Sequence, residues 1–176
     1  MSTIAAAEAK PPETKPRLVT VTISDTRTEA DDTAGKALVE ELREATAHVR
    51  HEIVKDDAKA IAHLVREVSS SDEADVMVLS GGTGIAPRDV TYEAVAGLFE
   101  KTLDGFGESF RRMSWDEIGP RAMLTRATAG TIGNCVVFVV PGSEKGARLG
   151  AKLIAPIVGH AFDLVNGRTK HGPPPK

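Results

Sequence analysis

DVMVLSGGTGIAPRDVT, residues 75–91, runs from an unbroken apolar stretch through a glycine loop to an arginine and an aspartate. Val76, Met77, Val78 and Leu79 have the composition of a central strand buried on both faces, as in a parallel sheet. Gly81, Gly82 and Gly84 remove the Cβ atoms that would hold a ligand off the backbone, and they permit positive φ. Consecutive N–H groups can then converge on an anion, with phosphate the natural candidate. Arg88 and Asp89 follow directly, with Thr91 as a candidate helix N-cap. A strand, an anion cradle, a cation and a carboxylate in this order predict chemistry on a phosphate with a metal ion. GGTG alone would suit a plain strand-to-helix turn equally well. Neither GxxxxGK[ST] nor a GxGxxG at the required offset is present, so a P-loop and a dinucleotide fingerprint are unsupported.

Upstream, residues 18–24 (LVTVTIS) alternate and are β-branched, which predicts the first strand. Ser24, Asp25 and Thr26 open a polar loop at its carboxyl end, where open α/β sheets place ligand contacts; Asp31 or Asp32 suits a helix cap. Residues 33–46 carry Ala34, Leu38, Leu42 and Ala45 at helical spacing, and a short strand over 48–54 places Val49, His51 and Ile53 on one side. His48 and His51 lack a Cys or acidic partner at ligand spacing, which argues against a metal role. Asp56 ends that strand, either capping the next helix with Asp57 or facing the same edge as Ser24 and Ser80. The helix itself turns Ile61, Leu64, Val65 and Val68 inward.

Downstream, residues 92–99 read as a helix with Val95 inward. Phe106, Phe110 and Met113 share a face suited to core or subunit contact, and Trp115 reads as structural. Residues 127–132 and 135–140 flank Gly133-Asn134, a turn favouring positive φ at both positions, and predict a hairpin at one sheet edge. Pro141, Gly142 and Ser143, followed by Lys145, form a second small-residue loop with a hydroxyl and a cation. Pro156 should kink or split the helical stretch that runs on to about residue 165. The fold class expected is α/β: a mainly parallel open sheet, helices on both faces and an antiparallel edge hairpin.

With 176 residues, 41% hydrophobic and 27% charged, the chain suits one domain over residues 17–166, between tails at 1–16 and 167–176, with disorder expected over 1–16 and the proline-rich 172–176. A net charge of -3 and 4% aromatic residues argue against nucleic acid as a partner. No stretch has the character of a signal peptide or a membrane span, so a cytoplasmic protein without a membrane partner is expected. Cys135, the single cysteine, lies in the run CVVFVV and reads as a core residue.

Taken together, SGGTG-x3-RDVT, GFGE at residues 105–108 and the late PGS resemble the MogA/MoaB family of molybdenum-cofactor biosynthesis proteins, which includes the G domain of gephyrin. The similarity spans residues 18–164. SDTRTEADDT (24–33), SWDEIG (114–119) and the compact hairpin lie nearer the MoaB branch. The resemblance implies a molybdopterin adenylyltransferase, converting Mg-ATP and molybdopterin to adenylyl-molybdopterin and pyrophosphate. It ties Asp56 and Asp89 to Mg²⁺ and catalysis, with Arg88 beside them. It assigns Gly81, Gly82, Thr83 and Gly84 to the pterin's phosphate or pyran side, and Ser24 and Asp25 to the substrate pocket. Glu108 falls in GFGE, Thr125 stands where relatives have serine, and Pro141, Gly142 and Ser143 match the late loop. Tyr92 occupies a place where proline is usual.

The attacking group would be the pterin's own anionic phosphate, so no protein nucleophile or strong base is required. Repulsion between phosphates would be offset by Mg²⁺ on Asp56 and Asp89, and by the loop amides with Arg88 or Lys145. For this, two aspartates distant in sequence must meet beside the glycine loop. The resemblance also implies a homotrimer, or a hexamer made of two, and a molybdenum-insertion enzyme downstream. The alternatives are a catalytically silent pterin-binding paralogue or carrier, and a phosphate-sensing regulatory domain of flavodoxin-like fold.

Overall fold

In the computed structural model, which describes residues 14–168, the apolar run becomes β3 (Val76–Ser80), and every residue of it is buried. Its side chains alternate between two cores. Val76 and Val78 pack with one cluster, Met77 and Leu79 with the other. A strand covered on both faces has no polar side to display, which is why the sequence reads as a continuous apolar run.

The first strand, β1 (Arg17–Ile23), leads to α1 (Thr33–Leu42), and β2 (Ala47–Val54) leads to α2 (Ala58–Ser70). After β3 come α3 (Thr91–Ala96), a two-residue strand β4 (Lys101–Thr102), α4 (Asp104–Ile118) and a 3-10 helix (Gly119–Leu124). The chain closes with β5 (Thr128–Ile132), β6 (Cys135–Val140), α5 (Glu144–Ile154) and α6 (Val158–Val165). Strand order across the sheet is β2-β1-β3-β6-β5-β4. The pairs β1–β2, β1–β3 and β3–β6 are parallel, while β5–β6 and β4–β5 are antiparallel. One face is covered by a core that includes Leu38, Phe106, Phe110 and Ile154, the other by one with Ile61, Val65 and Val95. This is the expected mainly parallel α/β sheet.

Register decides what meets at the carboxyl edge. Ile23 lies beside Val54, Thr22 beside Ser80, and Ser80 beside Val140, so four βα loops leave the sheet side by side. Because β5 runs antiparallel, its first residue, Thr128, lies opposite Val139, which brings Thr125 and Arg126 to the same edge. The caps resolve the paired aspartates: Asp32 accepts from the Gly35 amide at 2.9 Å to cap α1, and Asp57 accepts from the Ala60 amide at 2.8 Å to cap α2. Asp56 is thereby free of capping. His51 has a structural partner, Asp32, whose Oδ2 lies 2.8 Å from Nε2. Pro156 splits the last helical stretch, as α5 ends at Ile154 and α6 starts at Val158.

Several expectations are corrected. The hairpin turn takes positive φ at Gly133 alone (+55°), so Asn134 contributes no left-handed residue. Thr91 is the first residue of α3 rather than its cap, and the helix stops at Ala96, three residues before the expected end. Phe106 and Phe110 are buried, but Met113 is 43% exposed and Trp115 47% exposed, because nothing among the described residues covers the outer side of α4. Val49 is 45% exposed on the edge strand β2. Cys135 is buried as expected, and that burial pushes its thiol up to about 12. Among the described residues no helix is long and apolar enough to cross a membrane. Of the tails expected to be disordered, residues 1–13 and 172–176 lie outside the described residues, while Pro16 is corrected: it is buried, and its carbonyl accepts from the Ala47 amide at 2.9 Å.

Candidate functional site

A cavity of about 560 Å³ opens at the carboxyl edge, between the glycine loop, the PGS loop and the inner face of α4. The glycine loop is tied at both ends: the Gly81 amide donates to the Val140 carbonyl at 3.0 Å, and the Thr91 amide donates to the Gly82 carbonyl at 3.2 Å. Between these anchors, the amides of Gly82, Thr83 and Gly84 have no protein acceptor among the described residues. Across the cavity, Ser143 caps α5 by accepting from the Gly146 amide at 3.1 Å, and Ser143, Lys145 and Gly146 of that helix start border the same space. Loop amides without protein acceptors and a helix start around one void suit an anion.

Glycine is needed where the loop turns. Gly82 has φ +62°, and a Cβ built there would overlap the buried hydroxyl of Thr91. Gly82→Ala should therefore destabilise the fold by about 1–3 kcal/mol and abolish phosphate or pyrophosphate binding. Urea denaturation and titration calorimetry with inorganic pyrophosphate check both effects.

One wall of the cavity is ionic. Arg88 Nη2 donates to Asp25 Oδ2 at 2.8 Å and to Asp56 Oδ2 at 3.4 Å, and the Asp56 amide donates to Asp25 Oδ1 at 3.2 Å. The side chains differ in exposure, at 61% for Arg88, 45% for Asp25 and only 10% for Asp56. Burial lifts the Asp56 carboxyl above its ordinary range against the opposing hydrogen bond from Arg88, and the charges of Asp25 and Asp89 lift it further. Asp89 also lines the cavity, with Oδ2 accepting from the Ala86 amide at 2.8 Å and Oδ1 outside that bond. Among the described residues no three or more His, Cys, Asp or Glu side chains are assembled into a metal cage. Magnesium does not need one, since it takes one or two carboxylates and completes its shell with phosphate oxygens and water. Asp56, crowded by two other carboxylates, and Asp89 fit that donor set.

Thr83, Thr125, Pro141, Gly142, Ser143 and Lys145 all line the cavity, and the hydroxyls of Thr83 and Thr125 lie 3.4 Å apart. Three residues named in the sequence do not line it. Ser24 turns its Oγ to the amides of Thr26 and Arg27, at 3.3 and 3.2 Å, and so closes its own loop. Asp25 reaches the site only indirectly, through the Arg88 side chain and the Asp56 amide. Glu108 is exposed, because α4 presents Phe110 and Ser114 to the cavity and a residue two places from Phe110 lies about 200° around the helix. Others were missed. Ser114, Glu117 and Arg121 continue the Phe110 stripe at helical spacing, a signal visible in the sequence. Arg27 bridges the first and last loops, donating to the Gly142 carbonyl at 3.0 Å with Asp32 at 3.6 Å.

Comparison with known proteins bears on what this edge is built for. Residues 19–160 match the family model described as "Probable molybdopterin binding domain". Molybdenum cofactor biosynthesis protein B of Bacillus cereus is 51% identical over 148 residues, covering 82% of this chain and 88% of its own. The chain belongs to the MogA/MoaB family. A crystal structure of a molybdenum cofactor biosynthesis protein B superposes with a TM-score of 0.83 at 46% identity, over 90% of this chain and 99% of that one. Another MoaB, the tungsten cofactor synthesizing protein of Pyrococcus furiosus, superposes with a TM-score of 0.79 at 39% identity, over the same shares of each chain. The MogA/MoaB match includes every residue that lines the cavity, so the carboxyl-edge site lies wholly within the shared domain.

Proposed function

We propose that this MoaB-family chain acts in molybdenum cofactor biosynthesis by transferring the adenylyl group of ATP to the terminal phosphate of molybdopterin. The observation that carries the reading is the meeting, around one cavity, of free loop amides and the start of α5 with Asp56, Arg88 and Asp89. An oxygen of the pterin phosphate attacks the α-phosphorus. The bond from that phosphorus to the β-bridging oxygen breaks, and pyrophosphate leaves with the electron pair. Adenylyl-molybdopterin, a phosphoanhydride, would then pass to a molybdenum-insertion enzyme.

The residues hold and orient rather than exchange protons. The amides of Gly82, Thr83 and Gly84 hold one phosphate, and the start of α5 with Lys145 holds another. Arg88, already poised between Asp25 and Asp56, supplies positive charge toward the α-phosphate. Asp56 and Asp89 would hold Mg²⁺, whose charge would offset the repulsion between the reacting phosphates. Phe110 and Leu149 give the cavity an apolar side that excludes water from the anhydride.

The deciding experiment incubates purified protein with molybdopterin and ATP, with and without Mg²⁺, and follows adenylyl-molybdopterin and pyrophosphate by mass spectrometry. Equal amounts of both, dependent on Mg²⁺, are expected. Pterin binding without turnover would identify a silent carrier instead.

We also infer a homotrimer, or a hexamer of two trimers. The surface suited to it is not the Phe106/Phe110 face, which is buried, but the exposed apolar group of Met113, Trp115, Ile118, Met123 and Leu124 on α4 and the 3-10 helix. Sedimentation of Trp115→Glu should show a shift to monomer where the wild type sediments as trimer or hexamer.

A further inference from the structure

Arg126 lies at the carboxyl edge just before β5 and is absent from the cavity lining, yet it makes a dense set of bonds to the loops that form the site. Its amide donates to the Thr83 carbonyl at 2.9 Å. Its Nε donates to the Gly84 carbonyl at 2.9 Å, and its Nη2 to the Asp89 carbonyl at 2.9 Å. The remaining nitrogen, Nη1, pairs with Glu93, and the guanidinium sits 5.1 Å from the centre of the Tyr92 ring. One side chain thus grips the loop at its start, at its end and on the first turn of α3. The loop between those grips carries Arg88 and Asp89, and its first residue, Gly84, carries the last of the three free amides.

We propose that Arg126 is a positioning residue, a fork that clamps the two ends of the 84–89 loop and so aims the loop amides and the Asp89 carboxylate at the phosphates. Planarity of the trans peptide supplies the link. The Arg126 amide holds the Thr83 carbonyl and so turns the Gly84 N–H, in the same peptide plane, the opposite way, while the side chain holds the next carbonyl, that of Gly84, and keeps the residue from rotating out of that setting. Fixing the Asp89 carbonyl sets the backbone from which its carboxylate projects. A lysine cannot replace this, because its single ammonium lacks the planar spacing that serves Gly84 and Asp89 together. The side chain is also screened from substrate by the loop it holds, so its effect passes through that loop. The proposal rests on the adenylyl-transfer reading for its catalytic consequence and on anion binding alone for its structural one.

The test uses the full chain carrying Arg126→Ala or Arg126→Lys. Arg126→Ala is expected to lower kcat by ~100-fold and Arg126→Lys by ~10-fold, as displaced catalytic groups do. The Kd for inorganic pyrophosphate should rise by ~10-fold in both. In an Asp89→Asn background, Arg126→Ala should cost less than about threefold more, because groups that act as a unit do not add. Full kcat in Arg126→Lys, or a loss that multiplies fully with that of Asp89→Asn, would overturn the proposal. If Arg126→Ala does not fold, the lysine variant decides. If the wild type forms no product, the adenylylation reading fails and the clamp is judged on pyrophosphate binding. Equal affinity in wild type and Arg126→Lys, or no binding by the wild type, then rejects it.

Discussion

Asp89→Asn is expected to lower adenylylation turnover by about 10²–10³-fold, with pterin affinity within threefold of wild type and Tm almost unchanged. The asparagine matters because this carboxylate has two tasks. Asp89 Oδ2 accepts the Ala86 amide at 2.8 Å, and the Asp89 amide returns a bond to the Ala86 carbonyl at 2.9 Å, so the turn that presents Arg88 is closed by this one residue. Asparagine can still accept the Ala86 amide through its carbonyl oxygen, but it carries no charge for a divalent cation. Asp89→Ala removes both and should lower Tm as well, since the Ala86 amide loses its acceptor. Turnover in both variants, pyrophosphate calorimetry and thermal melting separate the two tasks. An Asp89→Asn protein that turns over at the wild-type rate would remove Asp89 from the chemistry and leave it only the turn.

The fold was legible where one physical cause dominates a stretch. β3 is apolar throughout because both its faces are covered, Pro156 cannot continue a helix, and Gly133 permits the hairpin turn. The glycine loop was legible for the same reason, since positive φ at Gly81 and Gly82 leaves little choice of residue. Paired aspartates were a harder case. Asp56 and Asp57 are chemically identical neighbours, and only the extended backbone at Asp57 makes it the cap and leaves Asp56 to the cavity.

What escaped the sequence depends on distant geometry. Ser24 suited a substrate pocket, but its hydroxyl meets two amides of its own loop first. Glu108 sits in a conspicuous motif, yet the rotation of α4 turns it away, while the quieter stripe through Ser114 and Glu117 faces inward. Arg126 is 42 residues from Gly84, and no local pattern announces a side chain whose partners are backbone carbonyls. Tyr92 carries a related lesson. The sequence suggested only the loss of a proline's preset turn, whereas the ring lies against the Arg126 guanidinium. Met113, which suited either core or subunit contact, and Trp115 are exposed because no described residue covers their side of α4, which periodicity cannot reveal.

Asp56→Asn is expected to abolish most turnover and, unlike a typical substitution of a half-hidden residue, to make the protein more stable at neutral pH. The Asp56 carboxyl is held above its ordinary range, chiefly by burial, with only Arg88 opposing. A carboxyl raised in the folded state binds its proton more tightly there than in the unfolded chain. The stability it contributes is complete below the unfolded value and is lost as pH rises through the folded one. At neutral pH the ionised form is therefore a net cost, which the neutral amide removes. Arg88 loses little, being 61% exposed and still bonded to Asp25 at 2.8 Å. Tm of Asp56→Asn should exceed that of wild type by about 2–4 °C at neutral pH, with the gap closing as pH falls below the usual carboxylate range. Added Mg²⁺ should raise the Tm of wild type by mass action and leave the variant unmoved. A residue kept ionised against its own stability is expected at a site that needs its charge. An Asp56→Asn protein less stable than wild type at neutral pH, indifferent to pH and still active would make Asp56 an ordinary loop residue.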